Sequence, residues 1–200
     1  SGSGNKTLEN FTHQQLDLFN TAAAKIETAL GYTTLKHIAN SDAILLAPIF
    51  HLDMVRLDIG LYGTSAGPIG LGPVVQLTTT ISQIRHLKKG DTVGYNRAGL
   101  LLRDSIIATV RLGYADGYSR QLGLGKGAMW VNGLLAPIVG DICMDMTMID
   151  ITDIPAEEGD EVIVFGEGYP LTEYAKDMGT IPYEALTSLA GRLKRVYYQE

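Results

Sequence analysis

The apolar residues near the start of the chain repeat with the period of a helix. Steps of three and four residues separate Leu16, Phe19, Ala23, Ile26 and Leu30. This spacing predicts one apolar stripe along a helix from about Thr12 to Leu30. Thr12 and Gln15 form a capping-box pattern at its start, and Gly31 is typical of the left-handed residue that ends a helix.

Two extended runs follow, with a short helix between them. The pattern predicts strands at Leu35–Ala39 and Met54–Tyr62, and a helix over Asp42–Leu46 that Asn40-Ser41 begin. Helix, strand, helix, strand is typical of a parallel α/β unit.

The pattern changes near Gly63. Residues Thr64 to Gly72 are rich in Gly, Ser and Pro, which predicts a linker. Strands are expected after it at Val74–Leu87, Thr92–Tyr95, Ser105–Leu112, Ala128–Val131, Leu134–Val139, Met144–Ile151, Glu161–Phe165 and Lys194–Tyr198. Short helices are expected near Leu171–Met178 and Pro182–Ala190. Asn132-Gly133 is a strong type I′ hairpin signal. The chain is therefore predicted to be part of an α/β domain joined to a mainly β domain.

Composition narrows the class of protein. Hydrophobic residues make up 46% of the chain, charged residues 19%, and the net charge is −6, as in ordinary globular proteins without a nucleic-acid or membrane partner. No apolar run reaches the length of about 18 residues needed to span a membrane. The one cysteine, Cys143, fits a reducing compartment, and we expect a cytoplasmic protein. Ser1 to Gly4 resemble a tag remnant or linker.

Common catalytic patterns are missing. The four histidines, at positions 13, 37, 51 and 86, lack metal-ligand spacing, and we expect no metal. The glycines around Lys126 match neither a Walker A loop nor a dinucleotide fingerprint.

Two places nevertheless carry candidate chemistry. Asn40-Ser41 at a helix start offer a hydroxyl and N–H groups to an anion, while Arg56 on the next, buried run would need a partner. Farther along, the glycine-flanked turn Gly113–Tyr118 would expose Tyr114 at its rim.

Six ordered segments resemble those of alanine racemases, which are pyridoxal 5'-phosphate (PLP) enzymes. They are His37–Ser41, Met54–Gly63, Gly113–Gly117, Ala136–Gly140, Cys143–Asp145 and Thr180–Glu184. The resemblance extends from about Phe11 to Glu200. It implies an α/β plus mainly β fold: residues 1–10 as tag, linker and loop, 11–63 as the last elements of a PLP-binding (β/α)8 barrel, and 64–200 as the family's C-terminal mainly β domain.

The resemblance also assigns roles to single residues near the cofactor. Ser41 and Tyr183 match the side chains that bind the PLP phosphate, and Ile59 matches a position whose backbone N–H contributes. Arg56 matches the arginine that faces the pyridine nitrogen. Because guanidinium does not release its proton near neutral pH, the ring nitrogen would stay unprotonated.

Proton transfer is implied for Tyr114, which matches one of the family's two bases. Met144 and Asp145 match a segment that helps to hold the substrate carboxylate. In the family these residues face the partner subunit's cofactor, so a homodimer with a shared active site is implied. The implied activity interconverts L- and D-alanine for peptidoglycan synthesis.

The chain also departs from the family. The lysine that binds PLP and serves as the second base lies in a segment resembling Lys-Ala-Asn-Ala-Tyr-Gly, and no such string occurs here. The isolated chain is therefore expected to be inactive. Asp58 replaces a glycine beside the phosphate, where a carboxylate would repel it unless it points away. Asp141 and Leu135 replace residues of the substrate corridor.

Three interpretations stay open at this point. The first is part of an alanine racemase, and the ending Arg195–Glu200 resembles racemases fused behind a muramoyl-peptide ligase domain. The second is a related PLP racemase for another small amino acid, such as serine. The third is a non-catalytic module that uses the β domain for dimerisation.

Overall fold

The computed structural model describes residues 5–64 and 71–199, in two compact units that divide between Val74 and Val75. The predicted tag remnant, the middle of the predicted linker and Glu200 lie outside the described residues. In the described part of the chain, no helix has the length and apolar character needed to cross a membrane.

The first helix, α1, covers Glu9–Leu30. It starts three residues before the predicted Thr12, because a 3-10 turn at Lys6–Leu8 leads directly into it. The predicted capping box is therefore wrong: Thr12 lies inside the helix, and its hydroxyl donates to the Leu8 carbonyl at 3.1 Å. Gly31 ends the helix as predicted, with a φ of 76° and an N–H bond to the carbonyl of Glu27.

The apolar stripe of α1 is only partly buried. Leu16 packs in a small core with Ala39, Ala43 and Phe50, and Ala23 is also buried. Toward the end of the helix, Ile26 and Leu30 are 52% and 49% exposed. The small core lies against the first half of α1, and along the second half the segment 34–37 borders an open apolar groove.

Within residues 5–64, the two predicted strands are reduced to a single parallel bridge, His37 with Met54. The Arg56 N–H donates to the Ala39 carbonyl at 3.0 Å, which continues the parallel pattern. Isolated strand pairs are marginally stable, so a parallel pair without further strands stays short. The expectation of a strand through Tyr62 is wrong, because Ile59–Tyr62 forms a 3-10 helix. Between the runs lies α2, Ser41–Leu46, which the Asn40 side chain caps by accepting the Ala43 N–H.

The second unit is built on one antiparallel sheet of six strands in the order β6-β5-β8-β1-β4-β7. The strands are β1 Leu77–Leu87, β2 Thr92–Val93, β3 Gly99–Leu100, β4 Ser105–Val110, β5 Ala128–Val131, β6 Leu134–Pro137, β7 Thr147–Asp150 and β8 Glu161–Phe165. β2 and β3 form a separate pair. A bridge between Ile138 and Ile149, with the Val139 N–H donating to Met148 at 2.8 Å, joins the edge strands β6 and β7. The sheet is thereby nearly closed into a barrel.

Apolar side chains at alternating positions of the strands fill the inside of this barrel. Val110, Met129, Ile149 and Val162 are fully buried in its core. β1 changes partner along its length, pairing with β8 over residues 77–80 and with β4 over residues 81–87. A bulge at Ser82 lets one long strand serve both neighbours.

The type I′ turn predicted at Asn132-Gly133 is confirmed. Asn132 and Gly133 have φ values of 45° and 91°, as a type I′ turn requires, and they connect β5 to β6. Helices α3, Leu171–Asp177, and α4, Pro182–Thr187, lie where they were predicted. The predicted last strand is wrong: residues 194–199 have no regular structure, and their two tyrosine side chains are exposed.

We expect the two units to differ in protection from hydrogen exchange. Amides of residues 105–150 should exchange more slowly than those of residues 35–62, since strands β4 to β7 pair within the barrel, whereas the described part of the first unit has one parallel bridge. Exchange measured by mass spectrometry on the purified chain would test this. Equal protection of the two segments would contradict it.

Candidate functional site

The side chain of Asp58 lies at the centre of a polar cluster in the first unit. This group, here termed the Asp58 cluster, consists of Ser41, Arg56, Asp58, Ile59 and Gly60. The Asp58 carboxylate accepts the backbone N–H of Ile59 at 2.8 Å and that of Ser41 at 3.2 Å. In return, the Ser41 hydroxyl oxygen accepts the N–H groups of Asp58 and Gly60 at 3.0 and 3.1 Å. Ser41, the first residue of α2, is only 2% exposed, so this pairing is a fixed feature of the fold.

Arg56 completes the cluster from the solvent side. Its Nη1 lies 2.6 Å from Asp58 Oδ2. The expectation that Arg56 is buried is wrong: its side chain is 57% exposed, because the extended segment around it is covered on neither side within the described residues. The expectation that it has a partner is met by Asp58.

Hydrogen bonds keep the Asp58 carboxyl ionised. Partial burial raises its pKa, but the Ser41 hydroxyl, the Arg56 guanidinium and the backbone N–H groups of Ile59 and Ser41 lower it overall to about 2. The cluster thus has hydroxyl and N–H donors that suit a phosphate, with a guanidinium beside them. In this structure those donors bind a carboxylate of the chain itself. The donor set fits the phosphate of PLP once Asp58 has turned away.

The second candidate site is the turn formed by residues 113–117, here termed the Tyr114 turn. The backbone N–H groups of Tyr114 and Ala115 donate to the carbonyls of Cys143 and Met144, both at 3.0 Å. A Cβ on Gly113 would lie 2.3 Å from the Met144 carbonyl oxygen, so only glycine permits this approach. Main-chain contacts therefore bring Tyr114 beside the segment that contains Met144 and Asp145.

Arg192 connects the Tyr114 turn to the segment that contains Asp145 through two ion pairs. Arg192 Nε lies 2.6 Å from Asp116 Oδ1, and its Nη2 lies 2.6 Å from Asp145 Oδ1. The other oxygen of Asp116 accepts the Gly113 N–H at 3.0 Å. Burial raises the pKa of Asp116, but the bonds from Arg192 and Gly113 lower it overall. Asp116 in turn raises the pKa of Arg192, with a smaller contribution from Asp145.

Side-chain exposure shows which groups could meet a ligand. Tyr114 is 43% exposed and Met144 54%, so both are presented at the surface of the second unit. Asp145 is exposed as well, with its carboxylate bound to Arg192. The predicted phosphate-binding Tyr183 is the second residue of α4 and is partly exposed.

The two corridor departures also lie in the second unit. Asp141 is 3.7 Å from Arg120 in an ion pair, and Leu135 pairs with Trp130 on the neighbouring strand. The nearby Cys143 thiol has a raised pKa because of its burial. No group of three or more His, Cys, Asp or Glu side chains placed to bind a metal ion occurs in residues 5–64 and 71–199.

Sequence reasoning missed Arg192 and the role of Asp116. The signal for Asp116 was local, because an aspartate three residues after Gly113 can accept its N–H within a tight turn. Arg192 had no such signal, since its partners lie 76 and 47 residues away along the chain.

Comparisons with known proteins identify the family. The family model described as alanine racemase, C-terminal domain, matches residues 74–197, and the one described as alanine racemase, N-terminal domain, matches residues 3–66. Alanine racemase 1 of Clostridium acetobutylicum is 36% identical over 206 residues, covering 98% of this chain and 53% of that protein.

Solved structures agree. Alanine racemase of Clostridium difficile 630 is similar with a TM-score of 0.89 and 34% identity, covering 99% of this chain and 53% of that one. The Bartonella henselae alanine racemase, solved with covalently bound pyridoxal phosphate, has a TM-score of 0.76 and 38% identity, covering 90% of this chain and 52% of that one. The chain spans about half the length of these relatives. The predicted fold class, the end of a (β/α)8 barrel followed by a mainly β domain, is confirmed, and the chain belongs to the alanine racemase family.

Proposed function

We propose that this chain supplies the C-terminal part of a PLP-dependent alanine racemase that interconverts L- and D-alanine. The observation that carries the proposal is the Tyr114 turn, in which backbone hydrogen bonds to Cys143 and Met144 present a phenol beside an exposed methionine and carboxylate. Residues 11–63 would be the last elements of the barrel and residues 64–200 the C-terminal domain. The relatives described above are alanine racemases, which favours alanine over serine and catalysis over a purely structural role.

The Asp58 cluster and Tyr183 would hold the cofactor. The Ser41 hydroxyl and the Ile59 N–H would donate to the phosphate, together with the Tyr183 hydroxyl. Arg56 would face the pyridine nitrogen and, as a permanent cation, leave that nitrogen without a proton. When bound, PLP supplies an electron-withdrawing ring that makes the α-proton of an amino acid easier to remove.

Tyr114 would move the proton at the substrate α-carbon. Racemisation needs a proton taken from one face of that carbon and another returned to the opposite face, hence two bases. A phenol has an ordinary pKa near 10, so it acts as a base near neutral pH only when a neighbouring group assists it. The segment that contains Met144 and Asp145 would help to hold the substrate carboxylate, with Arg192 fixing the orientation of the Asp145 side chain.

The setting of this activity follows from the family. We propose a homodimer in which Tyr114, Met144 and Asp145 serve the partner's cofactor, a cytoplasmic location, and D-alanine supply for the peptidoglycan of the cell wall. A small amino acid is the expected substrate.

A chimera tests the proposed function. Residues 5–199, exchanged for the corresponding part of the Clostridium difficile racemase, should give a protein that forms D-alanine from L-alanine, measured with a coupled D-alanine assay. The 200-residue chain alone, with excess PLP, should be inactive, because none of its eight lysines lies in the family's segment. Each of the lysine's two roles contributes on the order of 10² or more, so we expect a loss of several orders of magnitude.

Two outcomes would contradict this paired expectation. A folded, PLP-containing chimera without racemase activity would count against the proposed function. Turnover by the isolated chain within about tenfold of the full-length control would show that one of its own lysines reaches the cofactor, a range far smaller than the loss expected without the lysine.

A further inference from the structure

We propose that the Asp58 carboxylate is an internal occupant of the phosphate site, which the phosphate of PLP must displace in order to bind. The inference rests on the proposed function, because it takes the Asp58 cluster as the place where the phosphate binds. It concerns a residue of this chain that stands where the family has glycine.

The contacts of the carboxylate carry the argument. Its Oδ1 accepts the N–H groups of Ile59 and Ser41 at 2.8 and 3.2 Å, and its Oδ2 lies 2.6 Å from the Arg56 guanidinium. The Ile59 N–H is a donor assigned to the phosphate, the Ser41 N–H belongs to the residue whose hydroxyl is assigned to it, and Arg56 is assigned to the ring nitrogen. The Oδ1 atom, with its lone pairs, satisfies the two N–H groups much as a phosphate oxygen would.

Charge makes the two occupants exclusive. The hydrogen bonds that lower the pKa of Asp58 to about 2 keep it anionic at neutral pH. A phosphate monoester carries a charge of about −1.5 to −2 at pH 7. Two such anions within hydrogen-bond distance of the same N–H groups repel each other strongly in a partly buried site. Binding of the phosphate therefore requires Asp58 to leave.

The structure gives Asp58 a route out. Its partner Arg56 has a side chain that is 57% exposed, so the guanidinium stays solvated when the carboxylate turns away, and it remains available to the ring nitrogen. Ser41 and Gly60 would stay in place, because the Ser41 hydroxyl oxygen holds the Gly60 N–H independently of the carboxylate. The exchange would thus move the Asp58 side chain and leave the backbone of the site intact.

The test compares PLP affinity among variants of the 200-residue chain. Asp58→Asn keeps the shape of the side chain without its charge, and Asp58→Gly removes both. Asp17→Asn on the exposed face of α1 gives the same change in net charge far along the chain from the cluster. Dissociation constants for PLP, for pyridoxal, which lacks the phosphate, and for inorganic phosphate would be measured by calorimetry.

We expect both Asp58 variants to bind PLP and inorganic phosphate at least about tenfold more tightly than the unmodified chain, as removal of a like charge at this distance predicts. The Asp17→Asn control should match the unmodified chain, and pyridoxal, which has no phosphate, should gain less affinity than PLP in the Asp58 variants. Circular dichroism would confirm the fold of each variant. Should Asp58→Gly unfold, the isosteric Asp58→Asn still decides the question.

The remaining outcomes separate the two hypotheses. If PLP bound all four proteins with one affinity, and inorganic phosphate likewise did not distinguish them, the role of Asp58 would be overturned and the proposed function would stand. Failure of every variant to distinguish PLP from pyridoxal would show that the cluster is not a phosphate site, and would overturn this inference together with the cofactor assignment.

Discussion

Tyr114→Phe in the active chimera should lower the racemisation rate by about 10²- to 10⁴-fold in both directions, the usual contribution of a general base. Phenylalanine keeps the ring and loses only the hydroxyl that is proposed to carry the proton. The bonds that hold the Tyr114 turn come from the backbone N–H groups of Tyr114 and Ala115, so the substitution leaves them intact. Rates from L- and D-alanine, with incorporation of solvent deuterium at the α-carbon, measure the effect.

Tyr95→Phe is the matched control. Tyr95 is 72% exposed and lies in a 3-10 turn of the second unit, outside the Tyr114 turn. Its replacement should leave both rates unchanged. Near-normal rates for Tyr114→Phe in both directions would show that another group acts as the base.

Gly117→Ala should destabilise the second unit by roughly 2–4 kcal/mol, through backbone strain and overpacking together. Gly117 has a φ of 93°, and a Cβ there would lie 2.1 Å from the Ser188 carbonyl oxygen. Urea denaturation followed by fluorescence reports on this unit, because Trp130 in β5 is the only tryptophan of the chain.

Gly125→Ala measures the effect of backbone strain in the absence of a steric clash. Gly125 has a similar φ of 78°, with no atom within 4 Å of an added Cβ. Its substitution should cost only the conformational strain, about 1 kcal/mol at the low end of the usual range. If both variants lost a similar amount of unfolding free energy, the contact between the added Cβ at position 117 and Ser188 would contribute nothing to the destabilisation.

Much of the second unit could be predicted because its signals are local. The ends of β5 and β8 match the prediction residue for residue, and Asn132-Gly133 specify the hairpin turn between β5 and β6 by φ preference alone. In the first unit, by contrast, the runs at 35–39 and 54–62 have strand-like sequences but form only one bridge among the described residues. A parallel strand depends on neighbours that are distant in sequence, so its hydrophobic pattern alone does not give its length.

The candidate site, too, could be predicted only in part. The resemblance predicted Tyr114, Met144 and Asp145 as neighbours, and the structure brings their segments together. For Asp58 the sequence predicted only that a carboxylate beside the phosphate would repel it unless it points away. Which way the carboxylate points depends on Ser41, 17 residues earlier in the chain, and this required the structure.

The bridge from Arg192 to Asp116 and Asp145 also constrains how this chain can evolve. Loss of the arginine would leave the buried Asp116 carboxylate without its ion pair, and loss of either carboxylate would leave the guanidinium with one partner. The three positions lie in separate segments of the chain, yet a substitution at one alters the selection acting on the other two. Descendants of this sequence are therefore expected to keep positions 116, 145 and 192 as a set or to exchange them as a set.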